Sequence, residues 1–522
     1  MTPMTRPDRD AVRSSWVAMA AILAVAAGLR LVDLGSLPPA HYRDVAATAN
    51  DALRAASGHP RLHYVYDEGL FANLMGIGFL LFGASDLMVR LPGALAGILT
   101  CLAVARLGRV LGWPRAGLAG AFILAVTPWH VVLSRSGFRA VLLPLVLACA
   151  FAFLVEGMRD GSRWRFVAGG ALFGLSAHVY PATRFAPFIL PVYLGAALGG
   201  SRERWRRAAP GLVAFAAAAL LVTAPLLRDY LKHPEHFLYP HRVVSIWSPG
   251  LEAGTAGARF LDSVVATLGM FHLRGDANPR HNLPGAPMLD PLSGVLLLVG
   301  IVVVARRRRL GVTDGEAPGA GALVLTWLVV MLLPTLLSVE GVPHGLRSVG
   351  VIPALALLAG LGAETAWAGL ERRAGRRAAT AIALVAAIAM GGATAWRYFV
   401  VWGGDPATAA AHDGAYRAAA RALLAAPPGA ERLLVANGTG YPHHGHPAEA
   451  EVYLFEMRAA PPLLLGAHDA GRLMLEGRPA LVGLIRRDDQ VLEVIRRLNP
   501  GATIVAVEAP GISPESPVYR IN

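Results

Sequence analysis

Along the first 400 positions, apolar runs of about 20 residues, the length that crosses a bilayer core, alternate with short polar segments. They lie at 14–34, 86–106, 115–133, 138–157, 163–180, 184–199, 208–227, 288–305, 320–338, 346–367 and 378–400. A further stretch, 69–85, is apolar but short and glycine-rich, nearer to an interfacial or re-entrant segment. Beyond position 400 the pattern changes. Positions 407–425 have helical periodicity, 432–436 and 480–485 read as short strands, 488–498 as a helix and 503–507 as a strand. Strands alternating with helices predict a small α/β domain. The expected fold class is an α-helical polytopic membrane domain over 1–400, with about eleven spans, followed by an extracytoplasmic α/β domain over 401–522.

Composition agrees with this reading. Of 522 residues, 55% are hydrophobic and only 16% charged. The two cysteines, Cys101 and Cys149, fall in different apolar runs and read as small core residues. The net charge is +13, and all of the 48 basic residues but Lys232 are arginine. In a membrane protein such basicity speaks first of topology, not of nucleic acid. If 69–85 lies on the membrane surface, the arginine clusters at 106–115, 159–165, 202–207, 306–309 and 372–377 share one side with the basic N-terminus. The positive-inside rule makes that side cytoplasmic. The N-terminus is then inside and the C-terminus outside, with large outer loops at 35–85 and 228–287. The first run lacks a clear cleavage site and reads as a retained anchor.

Charged residues gather at the outer ends of the runs: Asp86 and Arg90, Arg135 and Arg139, Arg184, Asp290 and Arg347. Single arginines at helix ends snorkel to headgroups. Several on the side opposed by the topology bias suggest a site for phosphate, whose oxygens match the guanidinium fork. The first outer loop and its edge offer Asp33, Asp44, Asp51, Asp67 and Glu68. Asp44 follows Pro38-Pro39 and opens a helical pattern, as a first-turn acid or as a general base facing outward. His443-His444-Gly445-His446 looks like a metal-binding tract, but without partnered spacing it reads as a polar loop. There is no phosphate-binding G-x-x-x-x-G-K-[ST] and no H-E-x-x-H.

Five segments in order, MVRLPGALAGILT (88–100), TPWHVVLSRSGFRAVLLPL (127–145), GLSAHVYPATRFAP (174–187), GDANPRHNLPGAPMLD (275–290) and PHGLRSVGVIP (343–353), resemble bacterial members of glycosyltransferase family 39. These are protein O-mannosyltransferase-like enzymes with the GT-C membrane fold, to which aminoarabinose transferases are more distantly related. The resemblance implies an inverting transfer of a sugar from a polyprenyl-phosphate carrier to a glycan, lipid or protein acceptor outside the inner (cytoplasmic) membrane. It puts the catalytic aspartate at Asp44, with Val45 where relatives often carry glutamate; Asp67 and Glu68 could replace that acid or cap the interfacial helix. Substrate-binding candidates are Arg90, Arg139, Tyr180, Arg184, Asp276, Arg280, His281, Asn282, His344 and Arg347. No cofactor or metal is expected, although an acidic loop leaves a divalent ion open. The alternatives are a transporter or flippase, against which the absence of repeats and midplane polar groups argues, and an inactive scaffold, which the missing glutamate keeps open.

Overall fold

The computed structural model describes residues 9–65, 67–248, 256–310, 315–466 and 469–522. It is 66% helix and divides into two units, one of 1–34, 66–71 and 90–402, the other of 35–65, 72–89 and 403–522. The boundary after Trp402 lies two residues from the one expected at 400. Most of the outer loop 35–85, however, which was assigned to the membrane domain from sequence, clusters with the tail.

Among the described residues, four helical segments are long and apolar enough to cross a membrane: Asp86–Val110, Arg139–Asp160, Arg202–Lys232 and Val349–Trp402. The pair Pro114–Val126 and Pro128–Arg135, bent by 62°, would make a fifth. About eleven spans were expected, and several of the apolar runs are divided by breaks that single residues create. Pro128 begins a new helix where a continuous run over 115–133 was expected. The run 320–338 breaks after Val330 and restarts at Leu333, with Pro334 in its first turn. The runs 346–367 and 378–400 are joined in the helix Ile352–Ala395, which is interrupted at Gly375, where φ is +79°. Only glycine takes that conformation without strain. The helix Leu70–Phe82 has 13 residues, about 20 Å at 1.5 Å per residue, too short for a ~30 Å core.

In the first unit, helices meet backbone to backbone. A Cβ on Gly300 would lie 1.8 Å from the Leu358 carbonyl oxygen, and one on Gly362 would lie 1.9 Å from that of Leu296. Lipid supplies no hydrophobic drive between helices, so close approach at small residues does the work of association.

The bend at Thr127-Pro128 frees backbone carbonyls in an apolar setting, and Arg30 meets them. Its NH1 donates to the Ala125 carbonyl (2.9 Å) and its NH2 to that of Leu124 (3.3 Å), while Nε reaches Ser134 Oγ (3.2 Å). Arg135 donates to the Leu29 carbonyl (3.2 Å) and to the Tyr398 hydroxyl (2.8 Å). Both arginines are fully buried. Helix ends buried without such donors would be costly.

The second unit holds a mixed five-stranded sheet. Its strands come from β1 (Glu431–Val435), β4 (Leu463–Leu465), β5 (Ala480–Leu484), β6 (Ile504–Ala506) and β7 (Val518–Ile521), in the order β4-β1-β5-β7-β6. A separate hairpin pairs β2 (Pro442–His443) with β3 (His446–Pro447). β1 runs parallel to β4 and β5, while β7 is antiparallel to β5 and β6. Alternate residues serve opposite faces. Leu433, Val435, Val482 and Leu484 pack with Leu492 and Ile495. Leu434 and Leu481 pack with Leu423, Tyr453 and Met457. The helix Arg43–Ala56 buries positions 45–52. Gly76 of Leu70–Phe82 touches it so closely that a Cβ would lie 2.9 Å from the Ala52 carbonyl oxygen.

Candidate functional site

In the second unit, Asp44 sits in the first turn of Arg43–Ala56, where free N–H groups and the helix dipole favour a carboxylate. The Tyr441 hydroxyl donates to Asp44 Oδ1 at 2.8 Å. The neighbouring Arg43 fixes this helix end. Its backbone N–H and its Nε donate to Asp413 Oδ2 (2.8 and 3.0 Å), NH2 to Asp413 Oδ1 (2.8 Å) and NH1 to Glu449 Oε1 (2.8 Å). Burial opposes the Arg43 charge, but Asp413 and Glu449 outweigh it and raise its pKa further. Val45, which follows Asp44, is buried. The tail thus supports the candidate base through Tyr441, Asp413 and Glu449, three residues that sequence reasoning missed. They lie some 370 to 406 positions from their partners, and no local pattern marks them.

The first unit gathers most of the other candidates into two neighbouring groups. In one, Arg139 pairs with Asp67 and approaches Glu68 Oε2 at 3.5 Å, and its guanidinium lies 5.5 Å from the Tyr180 ring centre. The Tyr230 hydroxyl donates to Glu68 Oε1 (3.3 Å), and Arg184 stands over the rings of Tyr230 and Phe237 at 5.6 and 4.1 Å. Arg184 also donates to the Phe237 carbonyl (2.8 Å). Burial pushes the Glu68 carboxyl up, against the opposing charge of Arg139. The two first-loop acids therefore act as partners of Arg139 rather than simply as helix caps.

In the second group, Asp276 organises the loop that follows the helix Ala256–Gly269. Its Oδ1 accepts from the Asn278 N–H (2.8 Å), an Asx turn of the type this residue favours. Its Oδ2 accepts from His281 Nδ1 (2.8 Å) and from the Gly345 N–H (2.7 Å). The His281 and His344 rings lie 4.7 Å apart. Arg347 donates through its backbone N–H to His344 Nδ1 (3.3 Å). Its fork engages Glu340 at Oε2 (2.7 Å) and at the carbonyl (2.8 Å), as well as Ser338 Oγ. Burial lowers the pKa of His281 despite Asp276, and lowers that of His344 further, helped by the charges of His281, Arg347 and Arg280. Both imidazoles are neutral near pH 7. Tyr180 feels the charges of both Arg347 and Arg139, which links the two groups. Asp276, His281 and His344 each offer a ligand atom within 4.8 Å of the others, so they could hold a metal ion.

Three expected ligands have structural duties. Arg90 is fully buried and donates to the Leu34 carbonyl (2.9 Å), a contact of the kind that Arg30 and Arg135 make at helix ends. Asn282 donates to the Ala286 carbonyl (2.7 Å) within its own loop. Arg280 Nε donates to Asn278 Oδ1 (3.0 Å). Guanidinium groups, neutral imidazoles and a high-pKa carboxyl suit recognition of a phosphorylated, hydroxyl-rich molecule.

Comparison with known proteins bears on the fold. Residues 70–228 match the family model described as dolichyl-phosphate-mannose-protein mannosyltransferase. No curated protein sequence matches significantly. Among solved structures, ArnT from Cupriavidus metallidurans bound to undecaprenyl phosphate is 17% identical, with a TM-score of 0.60 covering 97% of this chain and 98% of that one. The oligosaccharyltransferase AglB from Archaeoglobus fulgidus, in complex with an inhibitory peptide and a dolichol-phosphate, is 13% identical, with a TM-score of 0.55 over 95% of this chain and 70% of that one. Arabinofuranosyltransferase AftD from Mycobacteria is 18% identical, with a TM-score of 0.50 over 98% and 40%. The chain has the GT-C membrane glycosyltransferase fold, as its motifs led us to expect, with a small sheet domain at its C-terminal end.

Proposed function

We propose that the protein is an inverting glycosyltransferase of the inner membrane. It takes a sugar from a polyprenyl-phosphate carrier and passes it to an acceptor hydroxyl on the outer face. Asp44 removes the acceptor proton; the oxygen attacks C1 opposite the phosphate, the C1–O bond to phosphate breaks, and polyprenyl phosphate leaves. Arg139, Arg184 and Arg347 bind the phosphate and stabilise its growing charge. Asp276, His281, His344 and Tyr180 orient the sugar by hydrogen bonds. Phosphate is already a good leaving group, so the reaction does not need the second acid of glycoside hydrolysis.

The observation that carries this reading is the support built around Asp44. A carboxylate with a phenol on one oxygen and its helix end pinned by Arg43 is set in one orientation, as a general base must be. The ArnT and AglB structures, with their bound undecaprenyl and dolichol phosphates, support the class of donor. The arginine-clustered loops support outward chemistry.

Asp44→Asn keeps the size and the Tyr441 contact but removes the proton acceptor. Turnover of a polyprenyl-phosphate sugar should fall about 10²–10⁴-fold, while undecaprenyl phosphate binding stays near wild type. Full activity in this variant would remove Asp44 from the chemistry. Mass spectrometry of envelope glycoconjugates with and without the protein identifies the sugar and acceptor; an unchanged profile would refute the transferase.

A further inference from the structure

The histidine tract of the tail reads as a polar loop in sequence, but folding gives it the acidic partner it lacks. Asp51, from the helix Arg43–Ala56, meets His443 and His444, and the three offer ligand atoms all within 4.8 Å of one another. We propose that these residues bind a divalent transition metal, with zinc the best match, which clamps the helix carrying Asp44 to the hairpin Pro442–Pro447. This site stands independently of the transferase reading.

Four features argue for it. Two imidazoles and one carboxylate form a nitrogen and oxygen donor set suited to Zn²⁺, with a fourth position left for water. His443 Nδ1 bonds Glu451 Oε1 at 2.6 Å, the kind of outer carboxylate partner that metal-bound histidines carry on their other ring nitrogen. Glu451 is itself fully buried, and its carbonyl accepts from Asn50 Nδ2 (3.0 Å). The hairpin turn places His444 and Gly445 at φ +49° and +88°. A histidine in that left-handed region is uncommon, and here it sets His444 Nε2 2.9 Å from Asp51 Oδ1.

The fourth feature is Arg54. Its NH1 sits on Asp51 Oδ1 (3.1 Å) and on His444 Nε2, and its side chain is 45% exposed. The guanidinium therefore holds the point where two donor atoms converge, as a monovalent stand-in that can swing into solvent. A dication replaces it with more charge and shorter bonds.

The test titrates the full-length, EDTA-treated protein in detergent with Zn²⁺ by calorimetry and with Co²⁺ by visible absorption. One equivalent should bind at this site. His444→Ala and Asp51→Asn should abolish that equivalent, and Glu451→Gln should weaken it about 10–100-fold, the usual effect of losing a ligand's outer partner. Arg54→Ala should tighten binding several-fold, a gain that damaged folding cannot produce. The proposal is overturned if no equivalent binds, if binding survives His444→Ala unchanged, or if Arg54→Ala weakens it.

Discussion

The ion pair of Arg139 with Glu68 gives a quantitative test of how the first unit manages a buried carboxyl. The Glu68 side chain is 2% exposed and that of Arg139 17%. In Arg139→Gln, Glu68 loses its principal counter-charge and escapes the cost of a buried anion by taking up a proton. Its ordinary pKa is 4.5, so holding it protonated at pH 8 costs at most about 1.36 kcal/mol for each of 3.5 units, or ~4.8 kcal/mol. At pH 5.5 the same cost is only ~1.4 kcal/mol. The variant should therefore be destabilised more at pH 8 than at pH 5.5, by up to ~3.4 kcal/mol. Thermal unfolding in detergent, referenced to wild type at each pH, measures this and cancels groups that titrate in both proteins. Adding Glu68→Gln should abolish the pH dependence of the difference. Equal losses at the two pH values, or no effect of the second substitution, would show that Arg139 does not serve Glu68 in this way.

Further outcomes follow from other groups. Arg347→Ala should weaken undecaprenyl phosphate binding by ~1.5–3 kcal/mol, the range for charge-assisted hydrogen bonds. Glu340→Gln, which removes an internal competitor for the same fork, should tighten it; weaker binding in Glu340→Gln would refute the competition. His281 and His344 have depressed pKa values in the folded protein, so below about pH 6.5 the unfolded chain binds protons that the native state refuses. Stability should be full above that pH and fall as pH drops below it, and melting curves of His344→Gln should show a shallower decline. A reporter fused after Gly200 should be cytoplasmic and one after Asn522 external; a cytoplasmic C-terminus would overturn the topology.

Much of the fold was legible in the sequence because apolar run length and arginine clustering are local signals. The helix Asp86–Val110 begins where its run does. Helix breaks inside the apolar runs were not legible. Hydropathy averages over breaks that single residues create, as at Pro128 and Gly375. In the tail, β1 and β5 were readable from their apolar cores, whereas β4 and β7, of three and four residues, carry too little period to detect. The candidate residues could be named from motifs, but their division of labour could not. Arg90 and Arg135 look like Arg139 and Arg347 in sequence, yet the first two satisfy backbone carbonyls and the latter two meet carboxylates. That distinction depends on where a distant helix ends.

The link between Arg43 and Asp413 has a consequence in time. Their separation of 370 positions means that, at about 5–20 residues per second, the ribosome makes the second partner about 20–75 s after the first. Throughout that interval the helix bearing Asp44 waits without the aspartate that clamps its end and without the tyrosine that orients its carboxylate. A segment made early is thus completed by one made hundreds of residues later, and a nascent chain stalled between the two carries Asp44 without its surroundings.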